Sequence, residues 1–289
     1  MRETSPPSPA VVVGIDGSHS AVDASLWAVD EAVKRDLPLR LVYAIEPAVG
    51  AAADNRSVTH AFTTAEAAVR HAAMAIESLD QPVKIEVEIV QGRPVAALLA
   101  ASHSAAMVCL GALGFNRASG KRVGSTVSAL LARAHCPIAV IRQSGRPMDH
   151  PGWVVTEFDK SADSTTVLDH AVSEAQLRKA PLRVLTSWRP GFNDIHDTHA
   201  SAEGSRQAKA TLERSLTRYR LRYPEVEIKA VAVTGSPMNY LARHAASIQL
   251  LVLGHQPSDE LSEFTGPGAC AALSGLNCSV LISERHSAL

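Results

Sequence analysis

The chain has 289 residues, 46% of them hydrophobic and only 4% aromatic. That is enough for two domains of ordinary size, with cores of Val, Leu, Ile and Ala. A formal net charge of -1 argues against a large electrostatic footprint for nucleic acid, and no apolar run reaches the 18 residues of a membrane span. Met1 to Pro9 is polar and Pro-rich without the apolar stretch of a signal peptide, so a cytoplasmic location is expected. The four cysteines lack C-x-x-C or zinc spacing; Cys109, Cys136 and Cys278 sit in or beside apolar strands and read as buried small hydrophobes. Val11 to Asp16 reads as a first strand. Ser18 or Ser20 can cap a helix with Val22, Leu26, Val29 and Val33 on its apolar face, broken at Leu37-Pro38. Leu39 to Ile45 is a second strand, and a polar, Ala-rich connection runs to about Thr59. A helix follows over Ala61 to Leu79, then a strand over Val83 to Val90. Gly92-Arg93-Pro94 turns into a helix through Ala101. Met107 to Leu110 is a fourth strand and Ile138 to Arg142 a fifth, with another helix between. Strands alternating with helices imply right-handed crossovers and a parallel sheet.

The second half repeats the first at an offset of 143 residues. Asp16 matches Asp159, Ala28-Val29 matches Ala171-Val172, Pro38-Leu39-Arg40 matches Pro181-Leu182-Arg183, and Gly92 matches Gly235. Leu110-Gly111 matches Leu253-Gly254, after which Cys136 matches Cys278 and the offset has dropped to 142. Two domains follow, 1–146 and 147–289, joined by a polar Gly- and Pro-containing linker near Gln143 to Gly152. Each is expected to be a doubly wound, Rossmann-like α/β domain around a parallel five-stranded sheet, with strand order 3-2-1-4-5.

The stretch from Val108 to Thr126 carries the chemistry. A buried strand leads into Gly111, then Gly114, then nine residues to Gly124-Ser125-Thr126, where a helix begins. Glycine lets backbone N–H groups approach an anion closely. The helix start adds free N–H groups, two hydroxyls and the positive end of the macrodipole, which together make a phosphate cradle. The spacing does not fit the P-loop, and the dinucleotide fingerprint is absent after the first strand. The pattern G-x2-G-x9-G-Ser-Thr, with Asp16 ending the first strand, resembles the ATP-binding loop of the universal stress protein family. The resemblance covers both halves of the chain. It implies tandem universal stress protein folds arranged as an internal pseudo-dimer, through the edge-strand pairing that joins separate chains in that family. Two such tandem chains can associate further.

The resemblance also implies that Asp16, Gly14 and the backbone of Val42 to Ala44 hold the nucleoside. Gly111, Ala112, Leu113, Gly114, Gly124, Ser125 and Thr126 then cradle the phosphates, and Arg117 neutralises them. Asp16 also suits a helix-capping role, though the nucleoside role is favoured, and Arg117, Lys121 and Arg122 suit a solvated loop. The second copy reads Gly254-His255-Gln256-Pro257, then eight residues, then Gly266-Pro267-Gly268, with Asp259, Glu260 and Glu263 nearby. Proline removes a donor and fixes φ, and Glu157 stands where Gly14 stood, so this copy is expected to be structural. The expected function is that of an ATP-binding stress-response protein regulating an unidentified protein partner, with Mg²⁺ carried by the phosphates. A slow ATPase or phosphotransferase, a nucleotide-free scaffold and a cyclic AMP binder also fit these residues. No nucleophile elbow is present, so catalytic residues are not expected. His196 and His199, with Asp194 and Asp197, lie in a polar connection over Gly191 to Ser205 and are read as surface groups rather than metal ligands.

Overall fold

The computed structural model describes residues 8–47, 55–112, 125–142, 152–159, 164–189, 198–254 and 278–283. The chain separates into two compact units, Met1–Gln143 and Ser144–Leu289. The first contains β1 (Ala10–Ile15), α1 (His19–Arg35), β2 (Leu39–Ile45), α2 (Asn55–Glu77), β3 (Ile85–Gln91), α3 (Pro94–Ser102), β4 (Ala105–Gly111), α4 (Ser125–Arg133) and β5 (Ile138–Ile141). Its strands lie in the order β3-β2-β1-β4-β5, every described pairing parallel. α1 packs with α2, and α3 with α4. Right-handed crossovers place these pairs on opposite faces, because the chain moves outward from β1 to β3 and then returns through β4. The second unit contains β6 (Trp153–Glu157), α5 (Ser164–Leu177), β7 (Leu182–Trp188), α6 (Thr198–Arg222), β8 (Ile228–Thr234), α7 (Pro237–His244), β9 (Ile248–Leu253) and β10 (Ser279–Ile282). Its order, β8-β7-β6-β9-β10, is that of the first unit element for element.

Local chemistry accounts for α1. Ser18 is its N-cap and accepts from the Ala21 N–H at 3.2 Å. Asp36 closes it in the left-handed region at φ 52, with Lys34 and Arg35 in the last turn against the negative end of the dipole. The buried stripe is Ala21, Ala24, Ala28, Val29 and Ala32. Val22, Leu26 and Val33, expected to form the apolar face, are only half-buried. Small alanines bring the helix close to β1 and β4, and the larger side chains flank the contact. Glu31 on this helix is wholly buried and ion-paired with Arg35; the second unit repeats the arrangement with Glu174 and Arg178.

On the other face of the first sheet, Val12, Val42, Val108, Leu110 and Val140 pack with Leu98 of α3 and with Val127 and Leu130 of α4. At roughly 25 cal/mol per Å² of apolar surface, such burial is the main stabilising term. Cys109, Cys136 and Cys278 are buried, as their apolar surroundings predict.

Two element boundaries differ from the sequence reading by more than two residues. α2 begins at Asn55 rather than Ala61. Asn-Arg-Ser-Val-Thr-His is a weak helix-forming start, but a turn is easily added once the following turns exist. The connection expected over Gly191 to Ser205 is shorter, because α6 already runs from Thr198 and includes His199. Asp194, His196 and Asp197 lie outside the described residues. No cluster of three metal-ligating side chains occurs among the described residues.

Strand β3 closes one end of the first sheet with charge. Arg40 on β2 lies in register with Glu86, which it meets at 3.1 Å, and Lys84 reaches the same carboxylate at 2.9 Å. The hydrogen bond from Lys84, ahead of that from Arg40, holds the Glu86 carboxyl below its ordinary value against a smaller desolvation effect. A depressed carboxyl stabilises the fold above the ordinary glutamate range, roughly pH 4.3, and that contribution disappears as pH falls through the depressed value. Glu86→Gln is therefore expected to flatten the acid limb of a stability-versus-pH curve while changing little below both values. Urea midpoints of both proteins measured from neutral to acidic pH check this.

Candidate functional site at the carboxyl end of the first sheet

β1 lies between β2 and β4, so the chain leaves the sheet centre in opposite directions on its two sides. Open α/β sheets bind ligands at such a point, outside the carboxyl ends of the strands. Asp16 directly follows β1 there and is exposed. Its Oδ1 accepts from the Ser18 N–H at 2.9 Å, so the carboxylate holds the turn into α1. Ser18 Oγ and Ser20 Oγ lie 3.0 Å apart beside it. Tyr43, which pairs with Ile15 across β1 and β2, adds a phenol; burial, and then the Asp16 carboxylate, raise it above its ordinary value. The sequence reading included the backbone of Tyr43, within Val42 to Ala44, but not its phenol. The signal was the β1–β2 register, which puts Tyr43 opposite the residue before Asp16.

The other expected residues fall in distinct places. Ala44 is on β2, paired with Val90. Gly14 is on β1, and a Cβ built there would lie 2.7 Å from Leu110 Cδ2 and 3.2 Å from Leu98 Cδ1. Leucine methyls therefore cover its face. Gly111 ends β4, where a Cβ would meet the Ser20 carbonyl carbon and oxygen at 2.6 Å. This glycine is needed for the close approach of β4 to the first turn of α1. Ala112 is buried, its N–H donating to the Ile141 carbonyl at 2.9 Å. Ser125 and Thr126 open α4, Ser125 exposed and Thr126 half-buried. Leu113, Gly114, Arg117 and Gly124 lie outside the described residues, as does the second loop from His255 to Gly268.

The second unit is furnished differently at the same end. Asp159 accepts a hydrogen bond from Ser164 Oγ, next to the start of α5. Phe158, Asp159, Thr186 and Trp188 line a cleft of about 370 Å³ beneath α6. Gly204 of α6 makes room for the Trp188 ring: a Cβ there would lie 2.1 Å from Trp188 Cζ2. Among the described residues, no helix is long and apolar enough to cross a membrane.

Comparison with known proteins agrees with this architecture. The universal stress protein family pattern matches residues 9–142 and again residues 154–283. A universal stress protein of Mycobacterium tuberculosis is 42% identical over 275 residues, covering 95% of this chain and 95% of its own. A second from the same organism is 41% identical over 272 residues, covering 92% of this chain and 96% of its own. Among solved structures, a universal stress protein from Archaeoglobus fulgidus superposes with a TM-score of 0.71 at 15% identity, covering 96% of this chain and 97% of that one. With one family domain in each half and relatives aligned along nearly the whole length, the chain belongs to the universal stress protein family.

Proposed function

We propose that the first unit binds ATP at the carboxyl end of its sheet, and that the chain acts in the cytoplasm as a nucleotide-dependent regulator of a protein partner. One observation carries the reading. Because β4 pairs in parallel with β1, the end of β4 at Gly111 lies at the same end of the sheet as Asp16, Tyr43 and the Ser18–Ser20 turn. A carboxylate for nucleoside hydroxyls and a helix start for phosphates then belong to one end of the sheet. Mg²⁺ is carried mainly by the phosphates, since Asp16 is the carboxylate this reading gives to the nucleoside. Phosphoryl transfer needs a held metal and a positioned nucleophile or water. With Asp16 committed to the nucleoside, ATP is bound and hydrolysed slowly if at all.

Calorimetric titration with ATP is expected to give a stoichiometry near one per chain. Gly114→Val should weaken binding at least ~10-fold by placing a side chain where this reading puts the phosphates. Asp16→Ala should also weaken binding, while single-turnover hydrolysis of pre-bound ATP stays slow in both proteins. Two equivalent sites, or wild-type affinity in Gly114→Val, would overturn the assignment.

A further inference from the structure

The two units differ in charge along β3 and β8. In the first unit Arg40 Nε and Nη2 both donate to Glu86. The equivalent strand pair in the second unit places Arg183 opposite Lys229. The cross-strand carboxylate has become a cation, and Arg183 Nε is buried with no hydrogen-bond partner. The Arg183 guanidinium lies over the Trp153 ring, 3.5 Å from its centroid. The helix beside this strand is reversed as well. At the 143-residue offset Lys209 replaces Glu66, Arg220 replaces Glu77 and Glu213 replaces Arg70. Bulk has been removed at the same time: Ser205 stands where Phe62 stands in the first copy, and Ala232 where Ile89 stands.

These exchanges meet in one place. Arg183, Lys209, Arg220 and Lys229, with the single carboxylate Glu213, line a cleft of about 410 Å³ along β8, the last strand of its sheet. Some of this charge is already engaged. Arg220 pairs with Glu213 at 2.5 Å and donates to the Ile228 carbonyl at 2.9 and 3.0 Å, and Lys229 meets Glu227 at 2.8 Å. Lys209 is exposed, without an ion-pair partner among the described residues, and Arg183 retains its unpartnered Nε. An unmet buried donor is costly, and guanidinium and ammonium groups together suit phosphoryl oxygens. We propose that this cleft is a second ligand site, separate from the nucleotide loop of the first unit, and that it takes a small anion bearing one or more phosphoryl groups. The first unit does not duplicate it, because its equivalent positions carry Glu66, Glu77 and Glu86, with Phe62 and Ile89 in place of Ser205 and Ala232.

The test is calorimetric titration of the full chain at low ionic strength. Inorganic pyrophosphate and ribose 5-phosphate serve as probes, the tighter one distinguishing an inorganic from a sugar-phosphate source. The proteins are wild type, Lys209→Glu, the double variant Lys209→Glu/Lys229→Glu, and Gly114→Val. Wild type should bind at least one probe with saturation below ~1 mM, the double variant at least ~10-fold more weakly, and Gly114→Val as wild type does. Lys209→Glu alone changes one exposed side chain and should lie between, with an unchanged unfolding midpoint, which separates loss of the site from loss of the fold. Absence of binding to wild type by either probe overturns the proposal. So does wild-type affinity in the double variant, or binding that disappears in Gly114→Val while surviving the charge reversal.

Discussion

Gly111→Ala is expected to destabilise the first unit by about 1–3 kcal/mol, the usual cost of forcing an extra carbon into a packed interior. The new Cβ would lie 2.6 Å from both the carbonyl carbon and the oxygen of Ser20. Those are backbone atoms at the start of a capped helix, so either α1 or the end of β4 must move. Gly14→Ala is the informative comparison. Its Cβ would meet the far ends of the Leu110 and Leu98 side chains, which can rotate away, so its cost should be clearly smaller. Native-state hydrogen exchange of the β1 and β4 amides in the two variants measures the order directly. It also avoids assuming a single transition for a two-unit chain. Equal losses, or a greater loss in Gly14→Ala, would mean that β4 does not press on the Ser20 turn as described. If Gly111→Ala also lowers ATP affinity, comparison with Gly114→Val separates displacement of the helix from obstruction of the phosphates.

The second large effect concerns the buried carboxylates of α1 and α5. Removing one partner of a buried ion pair typically costs about 3–5 kcal/mol. The Glu174 and Arg178 side chains are only 2% and 12% exposed, whereas Arg35, the partner of fully buried Glu31, is 27% exposed. Solvent reaches Arg35 more readily and screens the first pair. Arg178→Ala should therefore cost about 3 kcal/mol, Arg35→Ala distinctly less, and the double variant Glu174→Gln/Arg178→Ala should recover part of the loss. Denaturation curves resolved by unit, through the exchange of α1 and α5 amides, would show the ranking. A loss in Arg35→Ala equal to that in Arg178→Ala would contradict the burial difference.

Much of the fold was legible because periodicity and repetition state it twice. Alternating apolar runs and helices, with matched Pro38-Leu39-Arg40 and Pro181-Leu182-Arg183, gave two parallel sheets in the order observed. What eluded the sequence was local. Asn55 to His60 scores poorly as helix, yet extends α2 because the turns after it are already formed. Val22, Leu26 and Val33 look like a helix's buried face, but distance to the sheet favours the alanines. Gly14 and Gly111 were visible as glycines; their neighbours, the leucine methyls and the Ser20 carbonyl, depend on packing between remote segments. The charge reversal between α2 and α6 was present in the sequence too. It acquires meaning only when β8 brings Lys229 beside Arg183 and a cleft opens next to them.

The placement of β1 between β2 and β4 has a consequence during synthesis. The central strand is made first, and its second neighbour arrives late, since Val11 pairs with Met107. At roughly 5–20 residues per second on the ribosome, one side of β1 waits on the order of 5–20 s with its amides and carbonyls unpaired. A parallel ladder of such long sequence separation is slow to close. The nascent chain is thus most vulnerable to pairing with another copy of itself after β2 has docked and before β4 emerges. A polysome, where neighbouring chains expose the same edge together, is where that vulnerability is greatest.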